Sequence, residues 1–458
     1  MKSVALHNLG CKVNAYEIDA MQQMLQEKGY IVVPFDEKAD IYIVNTCSVT
    51  NIADRKSRQM LHKAKKMNPE AIVVATGCYV QTGQEVLEAD PCIDLAVGNN
   101  RKKDIVKIIE GYLSEHRVED AVIDINHTDE YEEMKLTKTA DHTRAYIKIQ
   151  DGCNQFCSYC IIPYARGRVR SRDTANILSE IHGLVEAGYQ EVVLTGIHIS
   201  SYGVDFVRKG TTDYLGTEKS RNEKDIAQQK GYLLNLIREI HKIEGIKRIR
   251  IGSLEPRIIT DAFARGLGDL PKVCPHFHLS LQSGCDETLR RMNRHYTADE
   301  YYEKVELLRK YFEHPAITTD VIVGFPQETD EEFQKTREYL EKVGFYEMHI
   351  FKYSKREGTV AAAMEHQVDD TVKTQRSNIL LDMERAQSEE FRQYYLGKEV
   401  EVLFEEEKEI QGTRYWIGHT GQYVRVAVES RESLANQIKK GRITNFLQQD
   451  IMRINKLS

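Results

Sequence analysis

The segment "DGCNQFCSYC" (151–160) places Cys153, Cys157 and Cys160 at the spacing C-x3-C-x2-C. Thiolates favour soft metals: zinc, copper(I), or iron in sulfide clusters. Structural zinc sites usually pair two C-x2-C units to reach four ligands, and here the second pair is missing. Three thiolates are enough to hold a four-iron cluster by three of its irons, leaving the fourth open to a small molecule. The competing reading is a zinc loop completed by a distant histidine. Nine cysteines in a chain with no signal-peptide core at its start point to metal or redox chemistry rather than to disulfides.

Three further cysteines stand where strand-like runs stop: Cys11 after "SVALHNLG", Cys47 after "DIYIVNT" and Cys78 after "AIVVATG". "AYEIDAMQQMLQEKG" reads as a helix, with Ile18, Met21 and Leu25 on one face and Gly29 as a stop. Strands separated by helices imply a doubly wound parallel sheet. The strand C-termini of such a sheet share one edge, where ligands bind, so the three cysteines are expected to converge there. Cys92, Cys274 and Cys285 fit neither set and read as core or surface thiols.

The remaining elements repeat this logic on a larger scale. "RAYIKIQDGC", "EVVLTGIH", "RIRIGSLEP", "HFHLSLQSG", "TTDVIVGFP" and "YEMHIFKYS" are six strand candidates, most of them separated by amphipathic helical stretches. They suggest an open (β/α)6 barrel with its reactive face at the strand C-termini. Beyond a helical lead-in the pattern changes to alternation, with Val400, Val402 and Phe404 in step and then Val424, Val426 and Val428. Short alternating strands read as a small antiparallel β-barrel, a shape that often binds nucleic acid. The expected division is an N-terminal domain at 1–112, an acidic linker at 113–142, the barrel at 143–372, and the lead-in with the small barrel at 373–458. The polar stretch 204–230 reads as a mobile insertion within the large barrel.

With 458 residues, 41% hydrophobic and 29% charged, the chain has material for several cores. Its formal net charge of -7 excludes a protein that simply coats nucleic acid, so any RNA contact must use local patches. No apolar run reaches the ~18 residues of a membrane span, and a cytoplasmic location is expected.

On these motifs the chain resembles two nested families. The Cys153-x3-Cys157-x2-Cys160 loop after the first barrel strand resembles the radical SAM superfamily motif. "LGCKVN", "NTCSVTN", "ATGCY" and "IIPYARG" narrow the resemblance to the methylthiotransferases, across nearly the whole chain. The resemblance implies two [4Fe-4S] clusters, one on Cys153, Cys157 and Cys160 and one on Cys11, Cys47 and Cys78, each with an open iron. It implies S-adenosyl-L-methionine as cofactor, with one molecule methylating the sulfur and a second supplying the radical that opens an adenine C–H bond. It also implies a C-terminal TRAM barrel, a tRNA substrate, a low-potential electron donor and a sulfur source.

Of the family's three branches, "LGCKVN" with "CSVTNIADRKSRQ" and "QDGCNQFCSYCIIPYARGRVRSR" resembles the one acting on N6-threonylcarbamoyladenosine, beside the anticodon on its 3′ side. The isopentenyladenosine branch typically reads "GCQMN" and the ribosomal-protein branch "LGCPKN". The polar end "QQDIMRINKLS" favours a bacterial type over one with a hydrophobic anchor. Threonylcarbamoyl carries a carboxylate that isopentenyl lacks, so a cation is expected in the substrate pocket. The competing functional readings are action on isopentenyladenosine in tRNA and, in a different class, a non-enzymatic iron–sulfur RNA-binding protein.

Tyr159, Gly196, Ser253, Glu255 and Gln282, together with Ser280, are candidates for holding S-adenosylmethionine; polar residues among them equally suit helix caps. Arg166 and Arg168 suit a carboxylate or a phosphate, and "RRMNRHY" (290–296) suits RNA. Arg55, Lys56, Arg58, Lys63, Lys65 and Lys66 make the helix after Cys47 strongly basic.

Overall fold

The computed structural model describes residues 2–83, 89–115, 121–138, 143–208 and 231–457. At the N-terminus β1 (Ser3–Asn8), β2 (Ile31–Val32), β3 (Ile41–Thr46), β4 (Ile72–Gly77) and β5 (Leu95–Val97) form a wholly parallel sheet in the order β2-β1-β3-β4-β5. The centre of this sheet is dry on both faces. Ile41 and Ile43 enter one core, with Met21 and Leu25 of helix α1 (Lys12–Glu27). Tyr42 and Val44 enter the other, with Leu61 and Ala64 of helix α2 (Asn51–Met67). A strand buried on both sides reads as the continuous apolar run seen here.

The second sheet runs through β6 (Arg144–Asp151), with the short antiparallel β7 (Arg170–Ser171) on its edge, then β8 (Glu191–Gly196) and β9 (Arg248–Ile251). β10 (His276–His278), β11 (Ala316–Val323) and β12 (Glu347–Lys352) follow in parallel. The two groups are joined by Ile249 N–H donating to Lys272 O at 2.7 Å and Leu254 N–H to His278 O at 2.8 Å. The six parallel strands thus form one open curl, as the sequence implies. Phe277, Leu279, Ile317 and Val321 point out into the helical layer. By strand alternation His276, His278 and Asp320 take the inner wall.

The C-terminal strands β13 (Glu399–Ile410), β14 (Thr413–Thr420), β15 (Arg425–Val428), β16 (Ile438–Gln448) and β17 (Ile451–Leu457) close into a barrel in the order β13-β14-β15-β17-β16. Its pairs are antiparallel except β15 with β17, which is parallel. This barrel sits at the N-terminal ends of the half-barrel strands. Arg248 donates to His419 O at 2.9 Å and Glu401 O at 2.8 Å, and Arg250 to Gly421 O at 3.0 Å.

The N-terminal domain lies across the gap of the open curl. Helix α1 packs on β6 and β8 at one edge. At the other edge Arg356, just past β12, donates to Ser48 Oγ at 2.8 Å and pairs with Asp54. The described part of the acidic linker is anchored at a few buried residues. Ile125, Met134 and Leu136 are buried, and the carbonyl of Met134 accepts from Tyr16 Oη at 2.6 Å. One of its carboxylates faces a buried cation: Glu133 pairs with Arg172. Of the expected insertion, Val204–Arg208 is helical and residues 209–230 lie outside the described residues. Among the described residues no helix is long and apolar enough to cross a membrane.

Candidate functional site

The three N-terminal cysteines occupy corresponding places in their βα units. Cys11 caps α1, Cys47 follows β3, and Cys78 opens helix α3 (Cys78–Thr82) directly after β4. The chain reaches Cys78 through Gly77, whose φ of +99° is costly for other residues; a Cβ there would lie 2.6 Å from the carbonyl oxygen of Thr46. A Cβ on Gly10 would lie 2.9 Å from Cys47 Sγ, so the Cys11 and Cys47 segments abut. Cys47 and Cys78 are buried and Cys11 is exposed. Burial pushes the Cys47 thiol up to about 11, with Cys78 and Cys11 adding to the rise.

The second set stands at the end of β6. Gly152 is held at φ +73°, and a Cβ there would fall 1.8 Å from the carbonyl oxygen of Arg168. The Cys153 N–H then donates to Gly167 O at 3.0 Å, which folds the loop over. Cys153 and Cys157 are buried and Cys160 is partly so. The Cys160 thiol is raised by burial and next by the charges of Cys157 and Cys153.

The donor chemistry fits iron–sulfur clusters. Among the described residues, three His, Cys, Asp or Glu ligand atoms lie within 4.8 Å of one another in His62–Asp90–Cys92 and in His278–Asp320–His349, and in neither cysteine set. A tetrahedral zinc with Zn–S near 2.3 Å gathers its sulfurs to roughly 3.8 Å of one another. The wider spread in each set suits a multi-iron cage better. Thiols raised by burial also need nearby positive charge to ionise, and the structure provides some.

Arg166 is fully buried; its Nε donates to Cys78 Sγ at 3.3 Å, and its other nitrogens reach Asn14 at 2.6 Å, Asp151 at 3.2 Å and Glu17. Lys102 and Lys148 join Glu17 at 2.7 and 2.8 Å, and Arg170 lies 3.9 Å from Asp151. Four cations thus face the carboxylates of Glu17 and Asp151, with Glu132 beside Lys148, which leaves one positive charge in excess. At the other set Arg294 donates to Cys157 Sγ at 3.3 Å and to Ser280 O at 3.1 Å.

The other sequence candidates divide by environment. Tyr159 joins an aromatic group with Phe325 and Tyr353. Gly196 ends β8, where a Cβ would come 2.9 Å from Gln150 O. Glu255 pairs with Arg257, which reaches Gln155 Oε1 in the cysteine loop at 3.4 Å. Ser253 is exposed, Ser280 offers its carbonyl to Arg294 and Tyr296, and Gln282 takes a φ of +77° where its N–H donates to Asp320 O.

The basic runs turn inward more than expected. Arg168 stacks on Phe156 at 4.6 Å, and Arg291 pairs with Glu332. On α2, Arg58 meets Tyr79 and Lys65 meets Asp94, while Arg55, Lys56, Lys63 and Lys66 are exposed, Lys63 in a surface pair with Asp36. The sequence reading did not find Glu17, Lys102, Lys148 or Arg294 as partners of the cysteine sets. Asn14 and Glu17, one turn apart on the buried face of α1, are polar residues among apolar ones, and that pair was the available signal.

Comparison with known proteins agrees with this architecture. Residues 3–98 match the family described as uncharacterized protein family UPF0004, and residues 147–340 the radical SAM superfamily. The chain is 39% identical to the threonylcarbamoyladenosine tRNA methylthiotransferase MtaB of Bacillus subtilis, over 97% of this chain and 94% of that protein. It is 38% identical to the protein of the same name from Aquifex aeolicus, over 90% and 95%. The tRNA-2-methylthio-N(6)-dimethylallyladenosine synthase of Finegoldia magna is 34% identical, over 95% and 91%. Among solved structures, the radical S-adenosylmethionine methyltransferase TsrM of Kitasatospora setae shares the fold, at a TM-score of 0.55 and 15% identity over 77% of this chain and 75% of that one. Relatives this similar along nearly their whole length, with both cysteine sets inside the matched regions, make the chain a member of the radical SAM methylthiotransferase family.

Proposed function

We propose that this chain transfers a methylthio group to C2 of N6-threonylcarbamoyladenosine, on the 3′ side of the anticodon in tRNA, using two molecules of S-adenosylmethionine. The observation that carries this is the pair of three-cysteine sets on adjoining domains, linked by Arg166, which bonds Cys78 of one domain and Asp151 beside the loop of the other. Cys153, Cys157 and Cys160 would hold one four-iron cluster, and Cys11, Cys47 and Cys78 a second. Bound there, the clusters and S-adenosylmethionine supply one-electron chemistry, the methyl group and a site for sulfur.

The protein's own part is placement. Arg166 and Arg294 hold one sulfur of each set by charge-assisted bonds. The N-terminal domain lies across the open side of the curl and shields its interior from water. Gln155, Glu255 and Arg257 brace the loop that carries Cys153, Cys157 and Cys160. Tyr159, Gly196, Ser253, Glu255 and Gln282 remain the residues assigned to S-adenosylmethionine. The threonylcarbamoyl substrate follows the names of the relatives with 39% and 38% identity. A low-potential reductant and a sulfur source complete the reaction.

The test is mass spectrometry of tRNA nucleosides from a strain lacking the gene. Threonylcarbamoyladenosine should persist while its 2-methylthio form disappears. Loss of the methylthio form of isopentenyladenosine instead would move the chain to the other tRNA branch.

A further inference from the structure

Of the groups of metal-ligating side chains that come together among the described residues, one stands inside the half-barrel. His278 lies on β10, Asp320 on β11 and His349 on β12. Asp320 and His349 are register partners, and His278 is the partner of Thr318, two residues before Asp320. Side chains two apart share one face of a strand, so all three project from the inner wall. His278 Nε2 lies 3.2 Å from Asp320 Oδ2, and the imidazole of His349 stacks on that of His278 with ring centres 5.8 Å apart. One ligand atom from each residue lies within 4.8 Å of the other two.

The surroundings are those of a metal site. A metal-binding imidazole engages its second nitrogen with a partner that fixes the ring, and His278 Nδ1 has the hydroxyl of the buried Thr318 at 3.0 Å. That leaves Nε2 turned toward Asp320. In a tetrahedral site with metal–ligand distances near 2.1 Å, neighbouring ligand atoms sit roughly 3.4 Å apart. His278 and Asp320 are already at this spacing, so only His349 must move. His349 is exposed, and among the described residues its ring forms no hydrogen bond, so it can turn onto an ion without breaking one.

The height of the site is fixed by its neighbours along β10. Two residues before His278, His276 meets the ring of Tyr423 in the C-terminal barrel at 5.2 Å. Two residues after it, the carbonyl of Ser280 accepts from Arg294, which also donates to Cys157 Sγ. The three ligands therefore occupy the lumen between its floor and the cysteine loop, roughly 7 Å along the strand from Ser280.

We propose that His278, Asp320 and His349 bind a divalent ion of the zinc or iron(II) class, with coordination positions left open to the lumen. Two imidazoles and one carboxylate are the donor set of such ions, whereas calcium and magnesium take oxygen throughout and copper(I) prefers sulfur. Two neutral imidazoles and one carboxylate leave the ion with one positive charge in excess, so water or an anionic oxygen completes its shell. The ion is separate from both proposed iron–sulfur clusters, since none of its ligands is a thiol. It is also independent of which base the chain modifies.

The experiment uses the full chain reconstituted with both clusters and dialysed anaerobically against zinc. Zinc and iron per chain are measured by mass spectrometry, and the zinc ligands by X-ray absorption. Wild type should take up zinc in a shell of nitrogen and oxygen, with its iron content unchanged. His278→Ala and His349→Ala should weaken zinc binding by roughly a hundredfold or more, and Thr318→Val by roughly ten- to hundredfold. Cys92→Ser should bind as wild type does. His349 is exposed, so its variant keeps the test open if His278→Ala fails to fold. Zinc held in a sulfur-containing shell and insensitive to His349→Ala would place the ion elsewhere, as at His62, Asp90 and Cys92, and overturn the proposal. It is equally overturned if wild type binds no zinc, or if His349→Ala binds it as tightly as wild type.

Discussion

Arg166 and Arg294 each bring a guanidinium to 3.3 Å from one cysteine sulfur, but their surroundings give them different duties. Arg166 also neutralises Glu17 and Asp151 in a dry interface, so its removal would leave buried carboxylates short of a partner, which costs about 3–5 kcal/mol. Arg294 has the phenol of Tyr296 at 2.9 Å and a carbonyl as its other partners, and no carboxylate bond is formed through it among the described residues. Its loss strands no buried anion. Arg294→Gln should therefore fold and bind iron, yet lower the reduction potential of the cluster on Cys153, Cys157 and Cys160. Hydrogen bonds to sulfur and local charge set such potentials, and a shift on the order of 60 mV corresponds to a tenfold change in the one-electron equilibrium. A titration followed by electron paramagnetic resonance measures it. An unshifted potential in a fully loaded variant would refute this role for Arg294.

At the level of elements, the junction of β8 and β9 with the C-terminal barrel depends on one buried carboxylate. Burial alone would raise the Glu191 carboxyl, but Arg250, Arg144 and Arg248 together hold it below the usual range. A carboxylate held low gives its full stabilisation above the ordinary glutamate value of about 4.3. That stabilisation is lost as the pH falls through the folded value. Denaturant unfolding between neutral pH and pH 3 should show this acid-dependent loss. Glu191→Gln should remove it and cost about 3 kcal/mol at neutral pH by leaving Arg250 unmatched; a variant as stable as wild type would contradict the assignment. Glu191 was hidden in the sequence because it opens the apolar run "EVVLTGIH" and reads as a strand boundary. The same limit applies elsewhere. The continuous apolar runs of β3 and β4 and the alternation in β13 are legible because burial of one or both faces imposes a pattern. β2 and β5, with two and three residues, are too short to carry one. β16, "IKKGRITNFLQ", shows mainly its solvent face. The six cysteines of the proposed cluster sites were legible from type and spacing. Their arginine and lysine partners were not, since a charged residue in a sequence reads as solvated until tertiary structure turns it inward. Within the stretch read as an acidic linker, Glu133 and the neighbouring backbone lock α1 to the half-barrel.

For the whole molecule the decisive relation is that of cover to curl, because a reaction using both cysteine sets needs them held at a fixed separation. One edge of the cover is secured by the buried network around Glu17, which involves α1, β6 and Arg166 together. The other edge depends on a smaller clasp. Arg356 donates to Ser48 and pairs with Asp54, while Asn51 Nδ2 donates to Lys355 O at 2.9 Å. Ser48 directly follows Cys47, so loosening this clasp displaces one side of the N-terminal set without touching Cys153, Cys157 or Cys160. Arg356→Ala should therefore leave S-adenosylmethionine cleavage within about twofold of wild type while methylthiolation falls by about a hundredfold, the cost that a misplacement near 1 Å can carry. Hydrogen exchange should rise in residues 48–56 and 354–360 and remain low along α1, which is anchored at the opposite edge. Parallel loss of cleavage and methylthiolation would show that the clasp supports the half-barrel itself. Unchanged activity with faster exchange would mean that the network around Glu17 alone fixes the separation of the two sites.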